Sequence, residues 1–211
     1  IVYSLFPTVL LSNQEILTTN TFSSGFNSDN FQQDIIYSLI IDIDGSVNLN
    51  SYEGSGYIID IQNRPGRVGF PEVIESKIGN PRLVKFREIE TDRLLQVKGW
   101  DLKLGNQTFW NLYLMSFGSN INLNNLNLIN TEIIGTGDIN MGKNLNSGDI
   151  FISGNFNIYV DTSLPIVVIG SAEVPAGWID ATIGYLNQTN ENYKFKVIVE
   201  EGSNVVFQNG E

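Results

Sequence analysis

Short runs rich in Ile, Val, Leu, Phe and Tyr alternate along this chain with clusters of Gly, Asn, Asp and Pro. The clusters recur at intervals of roughly ten residues, the spacing expected of strands joined by turns, and no stretch shows the periodicity of an amphipathic helix. Ile35 to Ile43 reads as a buried strand ending at the Asp44-Gly45 turn, and Gly56 to Ile61 as another, closed by Asn63-Arg64-Pro65-Gly66. Val84 to Ile89 and Leu95 to Leu104 alternate apolar with polar, with a bulge expected at Gly99, and Phe109 to Met115 continues the sheet. Between Asn120 and Asn130, Ile and Leu alternate with Asn and change phase at Asn124-Asn125, which predicts a bulged strand. The Gly- and Asn-rich stretch Ile133 to Gly148 predicts a long loop or a domain seam. Further strands are expected at Asp149 to Ser153, Phe156 to Val160, Ile166 to Ile169, Trp178 to Leu186, Tyr193 to Val199 and Val205 to Phe207. No internal repeat is evident. About a dozen strands suit an all-β, Ig-like or Greek-key β-sandwich. It would occupy residues 16–211, with a subdivision within 116–148 or a second small domain after residue 118 as the alternative.

The first eleven residues have a pattern of their own. Ile1, Tyr3, Leu5, Pro7, Val9 and Leu11 are all apolar, while the even positions between them are mixed. Successive strand residues point to opposite faces, so one face would carry an unbroken apolar row. Pro7 lacks an N–H and belongs at a sheet edge or across a groove. Residues 12–15 (Ser-Asn-Gln-Glu) then turn polar, as a hinge would. Two readings follow: an ordinary first strand, or a protruding donor strand that completes the sheet of a neighbouring copy. At about 3.3 Å per residue, eleven residues reach about 36 Å, enough to span such a neighbour. Head-to-tail repetition does not close and builds a filament of identical subunits. The start has neither an initiator Met nor a charged leader region, which suggests a processed N-terminus and an extracellular protein.

Composition narrows the chemistry. The net charge of −11 includes no basic run able to neutralise several phosphates, so neither nucleic acid nor an anionic membrane surface is an expected partner. No run approaches the length of a membrane-spanning helix. Cysteine and histidine are both absent. That removes thiolate nucleophiles, disulfides, the usual transition-metal ligands and the usual base beside a nucleophilic serine. No cofactor or catalytic residue is expected, and a carboxylate-based hydrolase is the remaining enzymatic option. The polar content is amide and hydroxyl instead, with 26 Asn residues.

Candidate sites are few. Sequons at Asn106-Gln107-Thr108 and Asn187-Gln188-Thr189 could carry N-glycans, although about three are expected by chance in a chain this rich in Asn, Ser and Thr. Asp42 to Ser46 lacks the third ligand and distal Glu of a calcium loop. Glu88 and Glu90 share a strand face with Lys85, Arg87 and Arg93 nearby, and read as a solvated surface. Trp100, Trp110 and Trp178 are either core residues or a carbohydrate-stacking platform.

The apolar N-terminal row, the all-β remainder and the Ile-, Asn-, Ser- and Tyr-rich composition without Cys or His resemble the thread filament subunits of thermoacidophilic archaea. Asn13 to Gly25 is also similar to the start of TasA-type matrix fibre proteins. Type IV pilins, with a long apolar N-terminal helix, match less well. The resemblance implies a glycosylated, extracellular filament subunit in which Ile1, Tyr3, Leu5, Val9 and Leu11 plug a neighbour's groove. The alternatives are a secreted carbohydrate-binding or adhesive β-sandwich and a viral capsid or spike module.

Overall fold

The computed structural model describes residues 18–23, 36–63, 72–76, 78–87, 99–170, 178–181, 184–187 and 193–208. All fifteen of its regular elements are β-strands. In chain order they are β1 (Thr18–Ser23), β2 (Ile36–Asp42), β3 (Val47–Tyr52), β4 (Tyr57–Asn63), β5 (Glu72–Glu75), β6 (Arg82–Arg87), β7 (Gly99–Gly105) and β8 (Phe109–Asn122). They continue with β9 (Asn127–Met141), β10 (Ile150–Asp161), β11 (Ile166–Ile169), β12 (Trp178–Ala181), β13 (Gly184–Asn187), β14 (Phe195–Val199) and β15 (Asn204–Gln208). The all-β class is therefore as expected.

The pairing departs from a Greek key. β8, β9 and β10 are consecutive in sequence and lie side by side in parallel, Leu112 opposite Thr131 and Thr131 opposite Ile150. Each long strand passes through a corner; β9 keeps β8 and β10 beside it throughout, while β8 and β10 change their other neighbour there. The first half of β8 pairs β2 and its second half pairs β3; the first half of β10 pairs β14 and its second half pairs β15. The chain thus winds in stacked coils, each contributing one rung to each of two sheets. The first sheet runs β5-β6-β2-β8-β9-β10-β14-β11-β13-β12, and the second β1-β4-β7-β3-β8-β9-β10-β15. The two layers of a sandwich are present, but they are wound by a coiling chain rather than exchanged between antiparallel strands. Antiparallel pairs lie at the ends of the stack, β1 with β4, β4 with β7, β5 with β6, and β11 and β12 with β13.

Between the sheets lies one continuous apolar core. Alternation places Tyr37, Leu39 and Ile41 of β2 inside, with Trp110, Leu112 and Leu114 beside them on β8. Rings meet across the two sheets: Phe86 of β6 packs edge-on to Trp100 of β7 at 6.0 Å and to Tyr57 of β4 at 6.1 Å. Burial pushes the Tyr37 phenol above its usual range and the Tyr57 phenol well above it, so both stay neutral inside this layer.

Three expectations are corrected here. Ile133 to Gly148 is not a loop or seam, since β9 runs through residue 141 and pairs on both sides. Its glycines serve close approach at the corners: a Cβ on Gly135 would stand 1.7 Å from the Ser116 carbonyl oxygen, and one on Gly137 2.0 Å from the Ser119 carbonyl oxygen. The phase change at Asn124-Asn125 is not a bulge but the turn from the second sheet back to the first, with Asn125 at φ +59°. A repeat does exist, at 19 residues. Leu126, Leu145 and Leu164 are buried at successive returns. Asn144 Nδ2 donates to Asn125 Oδ1 (3.0 Å), and Asn146 Nδ2 to Asn127 Oδ1 (3.2 Å), each across 19 residues.

Candidate functional site

Coiling places the same outward position of each turn directly above the last, so exposed side chains form rows along the stack at the inter-strand spacing of about 4.8 Å. On the second sheet, Thr21, Asp60, Asp101, Asn48, Asn120, Asp138, Asn157 and Asn204 occupy one such row across eight neighbouring strands. Its members bind one another: Thr21 Oγ1 donates to Asp60 Oδ1 (2.6 Å), Asn48 Nδ2 to Asp101 Oδ1 (3.0 Å) and Asn157 Nδ2 to Asp138 Oδ1 (2.9 Å). The row is a pre-ordered array of amides and carboxylates, each with donors or acceptors left for a partner.

The outward face of the first sheet is more apolar. Ile40, Tyr113, Glu132, Phe151 and Ile198 lie opposite one another on β2, β8, β9, β10 and β14. Phe151 is 51% exposed, a large apolar ring presented to solvent. Desolvation, with the Glu132 and Asp42 carboxylates nearby, holds the Tyr113 phenol above its usual range, so it remains a neutral donor. Beside this stripe runs a polar one, in which Asn130 Nδ2 donates to Asn111 Oδ1 (3.0 Å) and Asn111 Nδ2 to Ser38 Oγ (3.3 Å). A shallow groove of about 450 Å³ lies between the two stripes, with Asp149 at its margin.

A second concavity, about 740 Å³, opens where the second sheet turns back toward the first. Asn122, Asn124, Asn140, Lys143, Asp161 and Gln208 are among its lining residues. Asp161 is only 3% exposed, and one of its carboxylate oxygens accepts the Ser163 N–H (2.8 Å). Among the described residues, no group of three or more acidic side chains gathers as a metal site would require.

The residues anticipated from sequence fall elsewhere. Ile1, Tyr3, Leu5, Pro7, Val9 and Leu11 lie outside the described residues, as do Glu88 and Glu90. Asn106 sits in the turn between β7 and β8, half-buried, its Oδ1 accepting the Gly54 N–H (3.2 Å), while buried Thr108 accepts from Gly56. Asn187 is the last residue of β13, and its side chain is not among those described. The carbohydrate platform is corrected for two of its three members: Trp100 and Trp110 are 2% and 0% exposed and belong to the core. Trp178 begins β12, its side chain likewise undescribed. The outward stripes were missed because they appear only once the 19-residue stacking is known; the recurrence of Leu126, Leu145 and Leu164 with Asn106, Asn125 and Asn144 was the available signal.

No family model matches the chain, and neither does any curated protein. Among solved structures it is similar to a proposed cell adhesion protein from Clostridium sporogenes, with a TM-score of 0.63 and 13% identity over 92% of this chain and 97% of that one. Two proposed adhesins match at 13% identity and lower TM-scores. One, from Parabacteroides distasonis, scores 0.35 over 70% of this chain and 58% of that one. The other, from Parabacteroides merdae, scores 0.27 over 94% and 93%. The Clostridium likeness extends to the fold of nearly the whole chain.

Proposed function

We propose that this chain is a non-enzymatic adhesive module of a cell surface or extracellular layer, a stiff coiled-β scaffold whose outward rows contact a partner surface. The observation that carries this reading is the stripe Ile40, Tyr113, Glu132, Phe151 and Ile198. It holds aromatic and aliphatic side chains at one position on adjacent strands, on the outward face, while Trp100 and Trp110 are spent on the core. Aromatic side chains with few rotatable bonds make effective contact anchors. The fold shared with a proposed cell adhesion protein accords with it. Beads coated with the purified protein are expected to be retained on cell layers or extracellular matrix above albumin-coated beads. The double variant Tyr113→Ser/Phe151→Ser should lower the affinity roughly thirtyfold, as two anchors of about 1 kcal/mol each would. Retention no better than albumin on every surface tried would sink the reading.

A second reading, a filament subunit joined through residues 1–11, draws support from the apolar row Ile1, Tyr3, Leu5, Pro7, Val9 and Leu11. It is also favoured by β15, which among the described residues pairs with one strand, β10. An edge strand offers its outer backbone groups to an added strand. Negative-stain microscopy should then show filaments for the intact chain and single particles for residues 12–211; polymers of the shortened chain would exclude donor-strand assembly.

A further inference from the structure

We infer that the cleft at the second sheet's return turn is a binding site for a neutral saccharide, separate from the aromatic stripe of the first sheet. Its origin is a missing side chain. Along the outward row that edges this turn stand Asn124, Gly142, Asp161 and Gln208, one on each of four successive coils: Asp161 pairs with Gln208, and Gly142 follows Met141, the partner of Val160. Without a side chain of its own, Gly142 leaves room for the Asn124 amide to lie across it beside the cleft. The cleft, about 740 Å³, has room for a pyranose ring.

The groups at the cleft suit hydroxyls. Asn124 Oδ1 lies next to Gly142, 2.5 Å from where a Cβ there would stand, and is buried with no hydrogen-bond partner among the described residues, an acceptor already desolvated. Asp161 is almost wholly buried and uses one carboxylate oxygen on the Ser163 N–H, which fixes its orientation. Asn122 and Asn140 pair across adjacent strands in the neighbouring outward row, and Asn122 Oδ1 is held by the Asn124 N–H (3.1 Å). Each side-chain amide offers both donors and acceptors, the match for vicinal hydroxyls that both give and take. The volume lies within the range of small-molecule sites.

Charge selects among hydrophilic ligands. The lining holds one carboxylate, Asp161, and one ammonium, Lys143. A divalent cation would meet amide oxygens and a single carboxylate with a lysine beside it, a poor set for calcium. An anionic sugar would bring its charge against the buried Asp161. A neutral saccharide faces neither penalty.

The test uses calorimetry and saturation-transfer NMR on the full chain with cellotetraose, maltotetraose, mannotetraose and N-acetylchitotetraose. Tetragalacturonate and calcium chloride serve as charged comparisons. At least one neutral tetrasaccharide is expected to bind saturably below about 10 mM, with tetragalacturonate and calcium not binding. Gly142→Leu displaces the Asn124 amide and puts an apolar side chain at the cleft, and its added Cβ meets only the movable end of the Asn124 side chain, so the fold should tolerate it. Asn140→Ala removes an amide from the open lining. Each should weaken binding at least about tenfold, while Tyr113→Ser, on the other sheet, leaves it unchanged. No saturable binding of any neutral tetrasaccharide would overturn the inference. So would binding that survives both cleft variants or is lost with Tyr113→Ser. Because adhesion was assigned to the Tyr113 and Phe151 stripe, beads can still be retained when the saccharide test fails, and the reverse holds too.

Discussion

Replacing Gly135 by alanine is expected to cost about 4 kcal/mol, a large fraction of the roughly 5–15 kcal/mol that holds an ordinary domain folded. Gly135 stands where β9 turns from the first sheet to the second, at φ +133°, and a Cβ there would lie 1.7 Å from the Ser116 carbonyl oxygen on the coil below. That oxygen belongs to backbone already held in the stack, so the methyl group can be placed only by parting two coils. Overpacking of this kind costs about 1–3 kcal/mol, and a non-glycine residue in a backbone region reserved for glycine about 1–3 more. Gly154 repeats the geometry one coil further along, with its Cβ position 2.0 Å from the Gly135 carbonyl oxygen, and should respond alike. Gly118, at φ +68° with nothing within 4 Å of its Cβ position, separates the two causes. There alanine meets backbone strain alone, about 1–2 kcal/mol. Urea unfolding followed by tryptophan fluorescence gives all three values. If Gly135→Ala loses no more than Gly118→Ala, the coils do not touch at this corner.

These corner glycines also explain what could be read from the sequence. Alternation located β2, β4, β6, β7, β10 and β14 because each has apolar residues at every second position facing one core, and β11 stood out as a short continuous apolar run. The burial of β2, with Tyr37, Leu39 and Ile41 inside and their neighbours less so, follows it residue by residue. Alternation is silent about pairing direction, since parallel and antiparallel strands bury the same faces. The coiling was therefore hidden. Glycines in β9 looked like loop punctuation, whereas Gly135 and Gly137 are there because another carbonyl oxygen passes through the space of their Cβ atoms.

The repeat was hidden for a different reason. Inward positions accept residues of similar character rather than identity, so Leu112, Thr131 and Ile150 stack without resembling one another. Irregularities between Trp110 and Asn111 and between Ser116 and Ser119 shift the register between 18 and 19 residues. β3 escaped notice because Asn48 and Asn50 are as common in it as Val47 and Leu49; its polar face is supported by Asp101 and Asn122 on neighbouring strands. The candidate stripe was least legible of all. Tyr113 and Phe151 are 38 positions apart in sequence, and only two coils of 19 bring them into one row.

Trp110→Ala should rival the glycine substitutions, at about 3–5 kcal/mol, because it empties a fully buried indole site between Tyr37 and the coil above. The more telling comparison is with phenylalanine. Trp110 Nε1 donates to the Gly105 carbonyl oxygen (3.1 Å), and Gly105 is pinned in turn by its N–H to the Gly56 carbonyl (2.8 Å). The indole thus ties the end of β7 to the start of β8, where one coil passes into the next. Trp110→Phe loses volume and also one of the two donors to the Gly105 carbonyl, which keeps the Thr108 N–H (3.3 Å), an added cost of about 0.5–1.5 kcal/mol. Trp100 is almost as buried, but its Nε1 has no partner among the described residues. Phenylalanine there loses similar volume while removing a desolvated donor that the native protein leaves unsatisfied, so part of the loss is recovered. Trp100→Phe is therefore expected to be milder than Trp110→Phe by at least about 1 kcal/mol in chemical denaturation. Equal costs at the two positions would mean that the Trp110–Gly105 hydrogen bond contributes nothing to holding the coils in sequence.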